Sequence, residues 1–384
     1  MVLIPDASRS HPYHARASCF PGRNSVGISR VVAGTLEQVV HLDPRYRKQT
    51  LFTPIGDDGQ AALQRGRALV VGCGALGSVI AETLVRAGVG FVRVVDRDFV
   101  EISNLQRQVL FDEADVADRL PKAIAARRKL AAINSSVKVD AVVADVRADN
   151  VLELVDGIDV IIDGTDNFET RLLINDASLD QGIPWINGGC VGSHGQVMTI
   201  IPGRTPCFRC LVEDVPEPGT SETCDTAGVI GPAVNVVASL ECVDALKILA
   251  GRKHEIEPVL TVLDVWEGTF RRLKIEDLQS KGNCPACQKG ERAWLRGEKS
   301  SHTSILCGRN AVQISPPDRR TLDLHETAGR LRQHGMVFEN PYLVRVLLKE
   351  PACEITLFRD GRAIVQGTED AGVARSLYSR YVGS

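Results

Sequence analysis

Nowhere in the 384 residues do 18 apolar residues run together, so no membrane-crossing helix is expected. Internal repeats and low-complexity tracts are also missing, which leaves an ordinary globular protein. Net charge is small, with 45 Lys and Arg against 48 Asp and Glu, a balance of −3. Such a surface has no bulk attraction for nucleic acid or an anionic membrane, and neither is expected as a partner. Acids are absent between Asp6 and Glu37, where Arg, Ser and His recur. That suits a disordered extension over residues 1–40 or an over-long assigned start on one reading, and a transit segment on the other. The first is the expectation, and no secretory apolar core accompanies the stretch.

The 11 cysteines are an odd number, so no disulfide scheme uses them all. Four form two CxxC pairs, Cys207/Cys210 and Cys284/Cys287. Each pair offers two thiolates to one side of a tetrahedron, and together they close a structural Zn2+ shell with no open position. A redox dithiol is the lesser reading, because it needs no second pair. The metal is expected to pin the loop after PWINGGCVGSHGQVMTIIPG to the end of the main domain. Cys73, Cys190 and Cys242 lie in apolar stretches and read as core residues, while Cys19, Cys307 and Cys353 carry no signal. A metal site beside free thiols points to a reducing compartment, hence a cytoplasmic protein.

Hydrophobic residues make up 44% of the chain, enough for a large core. After a helical lead-in, apolar runs (ALVVGCG, FVRVVD, VKVDAVVADV, DVIIDGTD, PWINGG) alternate with helical patterns (SVIAETLVRAG, KAIAARRKLAAIN, FETRLLINDASLDQG). This order predicts an α/β fold with a doubly wound, Rossmann-like, mainly parallel sheet. GQVMTIIPG and PVLTVLDVWEG read as later antiparallel strands, separated by the long helix PAVNVVASLECVDALKILAG. The expected domains are a main unit over 41–290 that carries both CxxC pairs, a polar linker over 291–305 and a small α+β appendage over 306–384. The appendage should hold strands at NAVQI, LVRVLLK, EITLFRDG and RAIVQG, and helices at LHETAGRLRQHG and AGVARSLYSRYV.

Gly72, Gly74 and Gly77, with Ala75 among them, form a GxGxxG between strand and helix, a cradle for phosphate or ribose. Asp96, at the end of the next strand, is placed to accept ribose hydroxyls. These residues alone suit an NAD(P)-dependent oxidoreductase equally well. The following segment, VVDRDFVEISNLQRQVLF, crowds Asp96, Asp98, Ser103, Asn104, Arg107 and Gln108 past one strand end. An arginine and amides there suit a triphosphate, whose leaving pyrophosphate gathers charge. Lys122 could add a second cation or be a surface lysine. Asp166, in Asp163–Asn167, is placed for Mg2+ with Asn167 beside it, or else caps the next helix.

RYRKQ, GCGALG, VVDRDFVEISNLQRQ, the Lys122 helix, DGTDN, PCFRC, TCDTAGVIGP and CPAC occur in the order found in the ThiF/MoeB family, and the likeness covers roughly residues 43–290. That family comprises the sulfur-carrier-protein adenylyltransferases of thiamine and molybdopterin biosynthesis, related to ubiquitin-activating enzymes. The resemblance implies that Asp96 holds the ribose of ATP, that Asn104 and Arg107 meet the phosphates, and that Lys122 stabilises developing charge. Asp166 would bind magnesium, and Cys224 would occupy the place of a cysteine that accepts the activated carrier. A homodimer is implied, with Lys48 reaching the neighbouring subunit's nucleotide, although relatives carry arginine there. The implied partners are a ubiquitin-like sulfur carrier ending in Gly-Gly and a sulfur donor such as a cysteine desulfurase. Residues 306–384 show no rhodanese-type cysteine loop and resemble an appended domain of thiamine-type relatives, with carrier docking or extra dimer surface as expected roles. A related ATP-dependent enzyme acting on a small molecule or tRNA base is the main rival reading, followed by an NAD(P)-dependent oxidoreductase, which SNLQRQ and DGTDN disfavour, and then a non-catalytic relative.

Overall fold

In the computed structural model, residues 43–212, 214–215, 224–280, 282–299, 303–306, 310–315 and 321–383 are described, with the backbone alone at 224, 225, 280 and 303–306. The expected extension over 1–40, Cys19, Cys307 and most of the loop ahead of Cys224 lie outside the described residues. Eight strands build the main sheet: β1 (Arg67–Val71), β2 (Phe91–Asp96), β3 (Lys138–Val143), β4 (Val160–Asp163), β5 (Trp185–Val191), β6 (His194–Ile200), β7 (Val259–Asp264) and β8 (Thr269–Lys274). Their order is β3-β2-β1-β4-β5-β6-β7-β8. The first five run parallel and the last three are antiparallel additions, with β5 belonging to both halves. This is the doubly wound sheet that the alternating pattern predicts, with GQVMTIIPG and PVLTVLDVWEG antiparallel as expected.

The inner strands β1, β2 and β4 are mostly apolar because both their faces are covered. In β1, Ala68 and Val70 enter one core with the helices Ala75–Ala87 and Gly231–Leu249. Leu69 and Val71 enter the other, with the helix Phe168–Gln181. Trp294, from the stretch expected as a linker, is 5% exposed and packs in this second core.

Six more strands form a separate antiparallel sheet: β9 (Thr303–Leu306), β10 (Ala311–Ile314), β11 (Gly335–Glu339), β12 (Leu343–Leu348), β13 (Glu354–Phe358) and β14 (Ala363–Gln366). Their order is β11-β12-β13-β14-β10-β9. Alternation along these strands sends Val312, Val344, Ile355 and Val365 against the helices Leu324–Leu331 and Ala371–Tyr381. Ala311, Leu343, Phe358 and Ile364 point the other way and cluster with Phe99 and Val143 of the main unit.

One buried acid stands out in the core. Glu241, on the helix Gly231–Leu249, is 0% exposed, and neither carboxyl oxygen has a hydrogen-bond partner among the described residues. A Cβ on Gly188 of β5 would lie 2.4 Å from its Cδ, so only glycine admits this carboxyl. Burial, then the charge of Asp163, pushes the Glu241 carboxyl well above the usual range, while Arg171 pulls it back. The folded chain therefore keeps a proton that the unfolded chain loses above about pH 4.3, and stability falls as pH rises. The slope is at most about 1.4 kcal/mol per pH unit. Glu241→Gln is expected to remove it, so melts between pH 5 and 8 should show the variant gaining on the wild type as pH rises. Parallel curves would sink the account.

Candidate functional site

The order of the first five strands reverses between β1 and β4, and the crevice outside their carboxyl ends is where open α/β sheets receive ligands. Two loops meet there backbone to backbone. Gly72 has φ +84°, and a Cβ on it would stand 2.7 Å from the Gly164 carbonyl oxygen. A Cβ on Gly77 would stand 1.9 Å from the Gly72 oxygen, so the GxGxxG is fixed by this contact before any ligand is considered. Gly74 differs: only the Gln108 amide nitrogen lies near its missing Cβ, at 3.7 Å, and the backbone there has room for a phosphate or ribose.

Asp96 closes β2 at the side of this loop. Its carboxylate accepts the backbone N–H of Cys73 at 2.6 Å and of Asp98 at 2.6 Å. Burial raises its pKa above the usual aspartate value, opposed by the Lys122 cation. Lys122 opens the helix Lys122–Ile133, is 3% exposed, and sets its Nζ 3.4 Å from Asp98. The reading of Lys122 as a surface lysine is thereby overturned. Its backbone N–H donates to the Asp98 carbonyl at 2.9 Å, so the two chain segments are stitched together.

Asn104 is buried and accepts from the Glu101 backbone, while Gln108 is buried with its Oε1 unpartnered among the described residues. Ser103 is exposed, and its carbonyl accepts from Arg107 at 3.0 Å. Asp166 is exposed at the end of β4. The cap of the helix Phe168–Gln181 is Asn167, whose Oδ1 accepts the Thr170 N–H at 2.8 Å, so capping does not occupy Asp166. Lys48 projects into solvent from a motif anchored on both sides. Buried Tyr46 accepts from Asn134 at 2.8 Å, and Gln49 donates to the Ala87 carbonyl at 2.9 Å. Cys224 begins the short helix Cys224–Ala227, and its side chain lies outside the description.

Two side chains inside the quoted motifs were not singled out from sequence. Arg97 sits among four acids: burial would lower its pKa, but Asp145, Asp98, Asp166 and Asp96 together hold it above the ordinary value. Asp163 accepts from Arg171 at 3.0 Å and Asn187 at 2.7 Å, fixing the loop that presents Asp166. An acid ending the β4 pattern was the available signal for Asp163. Arg97 had none beyond its place between two aspartates.

The four CxxC sulfurs lie within 4.8 Å of one another. Sγ–Sγ distances are 3.8 Å for Cys207–Cys210, 3.6 Å for Cys207–Cys284 and 3.6 Å for Cys210–Cys287. Four thiolates about 2.3 Å from one tetrahedral ion stand about 3.8 Å apart, so the set fits a single closed-shell metal and is too open for a disulfide. The corner braces the helix that begins at Phe168. The Phe208 N–H donates to Asn175 at 2.9 Å, and the Trp294 N–H donates to Asp176 at 3.1 Å.

Comparison with known proteins agrees with this geometry. The ThiF family model matches residues 46–286. The chain is 47% identical over 340 residues to the sulfur carrier protein ThiS adenylyltransferase of Bacillus subtilis (strain 168), covering 88% of this chain and 99% of that protein. It is 39% identical over 248 residues to the sulfur carrier protein adenylyltransferase of Thermus thermophilus, covering 63% of this chain and 90% of that one. Among solved structures, E. coli MccB with MccA-N7isoASN superposes with a TM-score of 0.54 over 64% of this chain and 74% of that one. At 23% identity that likeness concerns the fold alone. A family model matched over more than half the length, and a relative spanned almost end to end, show that the chain belongs to the ThiF family.

Proposed function

We infer that this chain is an adenylyltransferase that uses Mg-ATP to activate the C-terminal glycine carboxylate of a ubiquitin-like sulfur carrier ending in Gly-Gly. The observation that carries the reading is the 47% identity along 99% of the ThiS adenylyltransferase. The arrangement of Gly74, Asp96, Asp98 and Lys122 around one crevice supports it. The carrier carboxylate, already ionised at neutral pH, attacks the α-phosphorus of ATP. The bond to the β-phosphate oxygen breaks, leaving an acyl-adenylate and pyrophosphate. No general base is needed, and the protein works by position and charge.

In this reading Asp96 accepts the ribose hydroxyls, Asn104 and Arg107 meet the phosphates, and Lys122 balances charge on the departing pyrophosphate. Gly72, Ala75, Gly77, Ser103 and Gln108 line the same cradle. Asp166, with Asn167 beside it, holds Mg2+, which supplies charge neutralisation of the phosphates. Lys48, solvent-facing on an anchored turn, reaches the nucleotide of a second copy in a homodimer. Cys224 takes the acyl group from the adenylate as a thiolate, releasing AMP, before sulfur arrives from a donor such as a cysteine desulfurase. Zn2+ on the four cysteines is structural, and the reduced thiols suit a cytoplasmic setting.

The test is ATP–pyrophosphate exchange with a thiamine-type carrier and, separately, a molybdopterin-type carrier. Exchange should require one carrier with an intact Gly-Gly end, and Arg107→Ala should lower it by at least about a hundredfold. Intact Mg-ATP binding with no exchange on either carrier would move the reading to a small-molecule or RNA-base substrate.

A further inference from the structure

The smaller sheet lies against the segments that build the nucleotide crevice. Arg97–Val100 and Arg119–Lys122 run side by side: the Val100 N–H donates to the Leu120 carbonyl at 2.9 Å, and Phe99 bridges Pro121. Asp98 and Lys122, stitched as described above, belong to this pair of segments, and Asp96 immediately precedes it.

The smaller sheet grips both segments. Arg362, which precedes β14 and is 1% exposed, donates from Nη2 to the Arg97 carbonyl at 2.6 Å. Its guanidinium lies 3.8 Å from the Phe358 ring centroid. The turn before it is held from the closing helix, where the Tyr378 hydroxyl donates to the Gly361 carbonyl at 2.7 Å. Gln313 of β10 donates to Asp145 at 2.9 Å, and Asp145 pairs with the Arg97 guanidinium at 3.2 Å. On the second segment, Asn340 donates to the Arg119 carbonyl at 3.2 Å, and the Arg119 guanidinium lies 4.4 Å from the Phe338 centroid. Arg119 has φ +50°, a left-handed conformation rare outside glycine, two residues before Pro121.

We propose that the C-terminal sheet is a positioning domain for the nucleotide crevice, with Arg362 its principal positioning residue. The proposal rests on the reading of that crevice as the ATP site. Adhesion alone does not call for Arg362. A buried guanidinium whose Nε and Nη1 make no hydrogen bond among the described residues, with only the Asp360 carboxylate 3.7 Å from Nε, is costly, and an apolar side chain would join the Phe99–Phe358 cluster without that cost. Its hydrogen bond goes to the carbonyl of Arg97, the residue between Asp96 and Asp98. A shift of that peptide moves the Asp98 carboxylate, and with it the Lys122 ammonium. The role differs from carrier docking, which would engage the sheet from outside.

The test uses the full-length protein, with Mg-ATP affinity measured by calorimetry and exchange kinetics with ATP and carrier varied separately. Arg362→Met should bind Mg-ATP about tenfold more weakly, as expected for losing one hydrogen bond to a buried polar group. Its KM for carrier should be unchanged. Arg362→Lys, which keeps a donor for the Arg97 carbonyl, should fall between methionine and wild type. Asn340→Ala, at the margin of the contact, should weaken Mg-ATP about threefold. Lys349→Ala, exposed beyond the end of β12 opposite Asn340, is the control and should change nothing. Unchanged Mg-ATP affinity in folded Arg362→Met, or a rise in carrier KM alone, would overturn the proposal. If Arg362→Met does not fold, Asn340→Ala decides, and wild-type affinity there also overturns it. A wild type that binds Mg-ATP but exchanges with no carrier defeats the functional reading, while the affinity ratios still decide this one.

Discussion

Exchanging Lys122 for methionine is expected to slow carrier-dependent ATP–pyrophosphate exchange about 10²–10³-fold, the usual loss for one preorganised charge partner of a transition state. The size follows from burial. Lys122 is held against Asp98 by the stitched backbone, so its charge acts at short range with little water to screen it. A second consequence separates this role from a merely structural one. Asp96 must be ionised to accept ribose hydroxyls, and burial raises its pKa while Lys122 lowers it. Nucleotide affinity should therefore fall as pH drops through that raised pKa. In Lys122→Met the fall should begin at higher pH, because the opposing cation is gone. Mg-ATP dissociation constants from pH 5 to 8 provide the check. An unshifted acid limb, or near-normal exchange, would remove Lys122 from the mechanism.

The zinc corner carries the other large effect. Metal analysis of the purified chain should find one zinc per molecule, and Cys284→Ser or a strong chelator should remove it. Structural zinc binding is worth about 10–16 kcal/mol in small zinc-finger peptides, and for 384 residues each kcal/mol moves Tm by about 1 °C. A drop of roughly 10 °C or more is expected. Exchange activity should fall as well, because the corner braces the helix whose first turn follows Asp166 and Asn167. A metal-free protein whose four cysteines cycle reversibly through disulfides would favour the redox reading instead.

The buried strands were legible because each carries its own apolar run: RALVV, FVRVVD and VIID declare themselves by composition. The three strands that escaped, β8, β9 and β11, are all at sheet edges. An edge strand with solvent on its faces needs no apolar alternation. TFRRLK in β8 is exposed along its whole length and is defined by pairing with β7. Among site residues, those fixed by backbone chemistry were readable, such as the glycines, Asp96 and the cysteines. Arg97, Glu241 and Arg362 were not, since each owes its place to neighbours distant in sequence: Asp145, Gly188 and the Arg97 carbonyl. Trp294 shows the same limit in reverse, a polar-looking stretch whose adjacent Trp294 and Leu295 find a core.

With a metal bound, the two CxxC knuckles turn the chain between Cys210 and Cys284 into a closed ring fastened by coordination. The ring contains β7, β8 and the helix Gly231–Leu249 that covers β5 and β6. Its ends are fixed by sulfur, so the residues within it can change in number, or be cut once, without parting the two sides of the molecule. Coordination there takes over part of the work of chain continuity between the two halves of the ring.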